Sequence, residues 1–180
     1  ECTMMTRCYN ELMNFKDRQA DLTTLQNLGY CHKDFHSGNI LQDRINSYVS
    51  DFGLTGPADK QKSNDKIYGV LPYIAPEVLN GETYTFASDI YSLGVIMAEL
   101  STGNPPFYDR KHDVSLALDI CNGIRPEFGK GTPEIYKKLA YRCFNANPKQ
   151  RPTPIISSIA GSKVSSFRPI DYYLNKEELR

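Results

Sequence analysis

Three oxygen-bearing side chains stand in an order that suits phosphoryl transfer to a hydroxyl. Residues 32–39 read His-Lys-Asp-Phe-His-Ser-Gly-Asn, and the triplet Asp51, Phe52, Gly53 follows. A carboxylate at Asp34 can accept the proton of an attacking hydroxyl. Asn39 and Asp51 are hard oxygen donors of the kind that hold magnesium against nucleotide phosphates. Taken singly, Asn39 and Asp51 read equally as turn-capping residues, and Asp34 as an exposed loop aspartate. The weight lies in the order and spacing, with Asp51 17 residues after Asp34.

Such side chains need elements to position them. Apolar residues at Leu12, Phe15, Leu22 and Leu25 suit one amphipathic helix that Gly29 can end. Ile40-Leu41 and Tyr48-Val49 flank a polar turn, so a short hairpin should carry Asn39 just before one strand and Asp51 just after the other. Residues 54–72 form a long polar loop of functional or mobile type. Ser88 or Asp89 can cap a helix running to about Thr102, stopped by Gly103, and its residues leave little polar face. Asp113 to Cys121 predicts a second helix. Thr132-Pro133-Glu134 predicts the start of a third, with Ile135, Leu139 and Cys143 on its buried stripe. Thr153-Pro154 opens a fourth, and residues 162–180 form a polar tail. The fold class is therefore α+β and mainly helical.

Composition narrows the partners. The 180 residues hold 21 Lys+Arg and 21 Asp+Glu, so no net charge draws the chain to nucleic acid or to an anionic membrane surface. No apolar run is long enough to span a bilayer. Five scattered cysteines, Cys2, Cys8, Cys31, Cys121 and Cys143, show no C-x-x-C pair and suit reduced thiols in a cytoplasmic protein. The chain starts at Glu1 rather than Met, which leads us to expect a processed product or a piece of a longer reading frame. The sequence leaves oligomeric state open.

Five ordered segments carry a resemblance. They are the loop with Asp34 and Asn39, the triplet at Asp51, Gly-Val-Leu-Pro-Tyr-Ile-Ala-Pro-Glu at 69–77, Ser-Asp-Ile-Tyr-Ser-Leu-Gly at 88–94, and Asn-Pro-Lys-Gln-Arg-Pro-Thr at 147–153. From residue 32 to about 160 the chain resembles the large lobe of a protein kinase. Asn122-Gly123-Ile124-Arg125-Pro126, Thr132-Pro133 and Cys143 look like the tyrosine-kinase-like and tyrosine kinase branches, and the chain is placed with the tyrosine-kinase-like one. The resemblance implies three parts: residues 1–31 as a helix leading to the catalytic loop, 32–161 as the large lobe, and 162–180 as the tail. It implies ATP and Mg2+ as cofactors, with Asp34 as catalytic base and Asn39, Asp51 and Lys33 on the nucleotide side. Asn39 and Asp51 would be the metal ligands. It implies a protein substrate or protein partner, and a role in signal transduction. His32, Phe52 and Gly53 would support the loops. Glu77 and Arg151 would form a buried ion pair. Asp89 would accept N–H groups of the catalytic loop, which should depress its pKa. Thr55, Ser63 and Tyr68 are the candidate phosphosites of the activation segment, with Lys33 as the cation for a phosphate there.

Four departures from the family pattern follow. Lys33 replaces Arg before the base, His36 stands where Ser/Thr kinases carry Lys, and Val70 stands where they carry Thr. No Gly precedes Gly29 and no Val precedes Val49, so these residues hold no Gly-rich loop and no Val-Ala-x-Lys strand upstream of Asp34. The expectation is a truncated kinase domain, weak or inactive alone, with a non-catalytic interaction scaffold as the alternative. Small-molecule phosphotransferases of the aminoglycoside or choline kinase type share a His-x-Asp-x-x-x-x-Asn loop, but Ala75-Pro76-Glu77 and Arg151 speak against them.

Overall fold

The computed structural model describes residue 22 and residues 24–42, 47–58 and 67–152. Most of the helix expected from Leu12 to Leu25, the candidate phosphosite Ser63, the helix expected after Thr153 and the tail lie outside the described residues. In chain order come β1 (Tyr30–Cys31), β2 (Ile40–Gln42), β3 (Ser47–Val49), β4 (Gly56–Pro57), α1 (Pro76–Leu79), α2 (Phe86–Thr102), α3 (Val114–Cys121) and α4 (Glu134–Cys143). Helices build the core, and two small antiparallel ladders hold the loops.

Helix α2 organises the rest. Every residue from Ser88 to Ala98 is buried, which explains why its sequence has almost no polar face. Its start lies earlier than the sequence suggests. Thr85 is the N-cap; Ser88 sits three residues on, accepts from the Thr85 N–H at 3.1 Å and donates to the Thr85 carbonyl. Asp89 is thereby released from capping. At the other end Gly103 takes φ 77° and donates its N–H to the Glu99 carbonyl, as a C-terminal glycine does.

Helix α4 lies against α2. Its buried face is Tyr136, Leu139, Ala140 and Cys143 rather than a stripe through Ile135, and the Tyr136 hydroxyl donates to the Met97 carbonyl. The Thr132 hydroxyl does not cap this helix; it donates to the Gly129 carbonyl and closes its own turn. Asp113 does cap α3, accepting from Ser115 and Leu116. Gly94 sits where α2 passes tightly against the end of α4. A Cβ there would lie 2.9 Å from the Phe144 backbone nitrogen and from the Cys143 Cβ.

The ladders set the loops. Strands β2 and β3 pair with Ile40 opposite Val49 and Leu41 opposite Tyr48. The second ladder, β1 with β4, falls inside a stretch that reads as loop, because two residues are too short to show a period. It ties Tyr30 and Cys31 to Pro57 and Gly56, which closes the chain around residues 32–55.

Gly94→Ala should destabilise the fold. The helix gains roughly 1 kcal/mol in propensity, but crowding against a backbone atom that cannot swing aside costs about 1–3 kcal/mol. A denaturant titration is expected to show a lower midpoint than the unsubstituted chain.

Candidate active site

The loop after β1 is held by its own backbone. The His32 N–H donates to Asp89 Oδ2 at 2.7 Å and the Lys33 N–H donates to Asp89 Oδ1 at 3.1 Å. Two successive N–H groups aimed at one carboxylate force a sharp bend, and Lys33 adopts φ 70° within it. The expectation that these donors depress the Asp89 pKa is corrected. Burial outweighs both hydrogen bonds and the nearby Lys33 charge, and pushes the carboxyl up to about 7.

His32 joins the two loops. Its Nε2 lies 3.0 Å from the Ser50 carbonyl, and its ring packs on Phe35 and Phe52 at 5.8 and 5.5 Å. It is fully buried, so burial lowers its imidazole below the ordinary 6.5 despite the Ser50 carbonyl and the charges of Asp34 and Asp51. Phe52 thus fixes the triplet through His32, and Gly53 donates its N–H to Asp51 Oδ1 at 3.2 Å. Asp51 itself adopts φ 59°.

The register of the hairpin brings Asn39 next to Asp51. Ser50 donates from its N–H (2.9 Å) and its hydroxyl (3.0 Å) to the Asn39 carbonyl, so Asp51 begins one residue away. The Asn39 amide nitrogen donates to the Asp34 carbonyl at 2.9 Å. That bond uses one of the two N–H donors of the side-chain amide and leaves the side-chain oxygen out of it. Asn39 therefore bonds Asp34 directly and the neighbour of Asp51 across the hairpin. Asp34 itself is partly exposed, but its Oδ1 is shut from solvent and receives no hydrogen bond among the described residues. Gly69, at φ 111°, lets the activation segment pass so close that a Cβ would lie 3.3 Å from that oxygen. Lys33 extends its ammonium toward the same segment; a Cβ on Gly56 would lie 3.1 Å from its Nζ.

Arg151 and Glu77 meet in a bidentate pair, Nη1 to Oε1 at 2.6 Å and Nη2 to Oε2 at 2.7 Å, with 1 and 7% of the two side chains exposed. Arg151 also donates to the carbonyls of Asn145 and Ala87, so its donors are spent on fixed acceptors. It lies over the Tyr91 ring at 5.1 Å, with Arg125 at 5.2 Å from the same centroid. Among the phosphosite candidates, Tyr68 is half-exposed, whereas the Thr55 hydroxyl is buried behind the 3-10 turn at 52–54.

One cluster escaped the sequence. The Tyr73 hydroxyl donates to Glu99 Oε2 at 2.7 Å and the Ser37 hydroxyl to Oε1 at 3.0 Å, which locks the catalytic loop, the end of the activation segment and α2 together. The available signal was Glu99 itself, with Asp89 one of two charged residues in an otherwise neutral helix.

The family model described as the protein kinase domain matches residues 19–163. The chain belongs to the protein kinase family. It is 36% identical over 134 residues to a probable serine/threonine-protein kinase of Dictyostelium discoideum, covering 73% of this chain and 8% of that protein. It is 33% identical over 137 residues to the dual specificity protein kinase splA of the same organism, covering 68% and 6%. A probable serine/threonine-protein kinase of Thermomonospora curvata is 31% identical over 134 residues, covering 73% and 18%. The chain thus spans less than a tenth of the two Dictyostelium proteins.

Two outcomes follow from this geometry. Arg151→Ala leaves Glu77 buried without a cation and should cost roughly 3–5 kcal/mol. A lowered thermal midpoint and faster proteolysis within residues 67–77 are expected. His32 supplies a pH dependence. Its folded pKa is depressed, so its contribution is complete above the unfolded value of 6.5 and is lost as pH falls through the folded one. Between about pH 8 and about pH 5 the melting midpoint of the unsubstituted chain should fall further than that of His32→Asn.

Proposed function

We propose that this kinase domain transfers a phosphoryl group from ATP to the hydroxyl of a protein side chain. Asp34 receives the proton of the acceptor hydroxyl. Asn39 and Asp51 hold magnesium, and Lys33 supports the loops as a cation. The observation that carries the reading is the bonding of Asn39. Its side-chain nitrogen donates to the Asp34 carbonyl and its backbone carbonyl accepts from Ser50, the neighbour of Asp51, so Asn39 is tied both to the base and to the residue before Asp51. The hard oxygen donors of Asn39 and Asp51 suit magnesium. The metal, when bound, offsets phosphate charge; the chain's own residues orient the acceptor and take its proton.

The acceptor is read as Ser or Thr in a protein, supported by the printed descriptions of the Dictyostelium and Thermomonospora relatives. The dual specificity relative keeps Tyr within the same reading. Residues 32–161 are read as the large lobe, preceded by a helical segment at 1–31 and followed by a tail at 162–180. Membership of the tyrosine-kinase-like branch rests on Asn122 to Pro126, Thr132-Pro133 and Cys143. The setting is signal transduction inside the cell. Exposed apolar residues support a covered cleft: Leu41 and Tyr48 face each other across the hairpin, 58 and 49% exposed, beside the proposed metal ligands. A nucleotide base and a covering lobe would bury them.

The 180 residues alone should transfer phosphate slowly. Their sequence holds no Gly-rich loop motif and no Val-Ala-x-Lys segment before Asp34. Each missing charge-assisted contact is worth roughly 1.5–3 kcal/mol, so two or three reduce rate or affinity by a factor of about 10³ or more. The test is radiolabelled phosphate transfer to a generic protein substrate. Asp34→Asn should cut transfer by about 10²–10⁴ while nucleotide binding survives, and Asn39→Ala should weaken magnesium–nucleotide binding. Transfer undiminished in Asp34→Asn would overturn the reading.

A further inference from the structure

Asp34 has an unanswered oxygen. Its Oδ1 is buried and receives no hydrogen bond among the described residues. A carboxylate oxygen in that state is costly until a donor reaches it. The activation segment beside it supplies none: a Gly69 Cβ would lie 3.3 Å away, and Val70, next in the chain, has no hydroxyl. The cavity lined by Asp34, Gly69, Val70 and Tyr84 measures about 10 Å³, the lower limit for a single water.

A donor stands close by. His36 Nε2 is 3.7 Å from Asp34 Oδ1. The opposite edge of the ring is pinned, because the Gly38 N–H donates to Nδ1 at 3.1 Å. A nitrogen that accepts carries no proton, so the neutral ring holds its proton on Nε2, the nitrogen nearer Asp34. Gly38 makes the seat: a Cβ there would lie 2.9 Å from the ring Cε1 and 3.0 Å from Nδ1. The ring also leans on Tyr73 at 5.8 Å. Gly38 thus sets both room and tautomer, and Tyr73 flanks the ring.

We propose that His36 is a positioning residue, a tautomer-locked Nε2–H donor that orients the Asp34 carboxylate. The inference rests on the reading of Asp34 as the base. At 3.7 Å the contact is longer than a formed hydrogen bond, and contacts of this kind tighten when substrate fills the site. With Oδ1 held by His36, the remaining oxygen is turned to the acceptor hydroxyl. Val70 lines the same cavity, and Thr is its near-isostere with a hydroxyl, so Val70→Thr offers a donor from the opposite wall.

Nitrogen NMR of the full 180-residue chain, labelled at its three histidines, reads the tautomer without catalysis. His32 and His112 are assigned by substitution. Well above the ordinary imidazole pKa of about 6.5, His36 should show a pyridine-type Nδ1 and a protonated Nε2. Asp34→Asn should shift that Nε2 resonance. A protonated Nδ1, a rapid mixture of tautomers or indifference to Asp34→Asn overturns the proposal. In phosphate transfer, His36→Ala should lower kcat about 10–100-fold with the KM for nucleotide unchanged. His36→Gln and the double variant His36→Ala/Val70→Thr should each restore most of it. An unchanged kcat, or a loss that neither variant relieves, also overturns the proposal. If the unsubstituted chain transfers no more phosphate than Asp34→Asn, the base assignment fails instead, and the NMR response still decides whether His36 is locked against Asp34.

Discussion

Asp89 projects its carboxylate from the first turn of a largely buried helix onto two successive N–H groups of the catalytic loop. That contact ties the least movable element of the fold to its most chemically committed one. A helix whose whole middle, Ser88 to Ala98, is buried cannot shift without opening the core. The loop therefore inherits the rigidity of α2, although it makes few regular backbone bonds of its own. The positive φ of Lys33 costs about 1–2 kcal/mol for a residue with a Cβ. It persists because both N–H groups on either side of the bend are satisfied by one acceptor.

Order then passes outward in steps. His32 carries it from the catalytic loop to Ser50 and Phe52, and Ser50 carries it to Asn39 across the hairpin. Arg151 does the same on the far side of α2, where it collects Glu77 and the carbonyls of Ala87 and Asn145. Such buried charges add little net stability, because desolvation offsets their attraction. Their effect is on geometry: a bidentate fork accepts one orientation of Glu77 and so one path for the end of the activation segment.

The parts legible in the sequence were those with a strong local code. Gly103 after an apolar run, Asp113 before one, and the polar turn between Ile40-Leu41 and Tyr48-Val49 each specify their structure within a few residues. What failed depended on distant partners. Ser88 and Asp89 are both good caps; only the core decides that Asp89 faces inward and that Thr85 begins the helix. The β1–β4 ladder has two residues per strand and no period to read. The Asp89 pKa was misjudged by weighing hydrogen bonds, which the motif implies, above full burial, which only packing reveals. Ser37, Tyr73 and Glu99 lie 26 to 62 positions apart in the pairs they form, beyond any local pattern.

Among the described residues few buried side-chain polar atoms lack a partner, and two of them, His32 Nδ1 and Asp34 Oδ1, lie in this loop. A fold selected only for stability would close the gap at Asp34 Oδ1 or replace the carboxylate. On the reading of Asp34 as the base, His36 answers that oxygen from the loop side, and the other carboxylate oxygen is left for the acceptor hydroxyl. Gly69 keeps the activation segment close without filling the space, and Gly38 lets an imidazole approach from the loop. Both glycines act by what they leave out, so the chemistry of this site is set as much by missing side-chain atoms as by the carboxylates themselves.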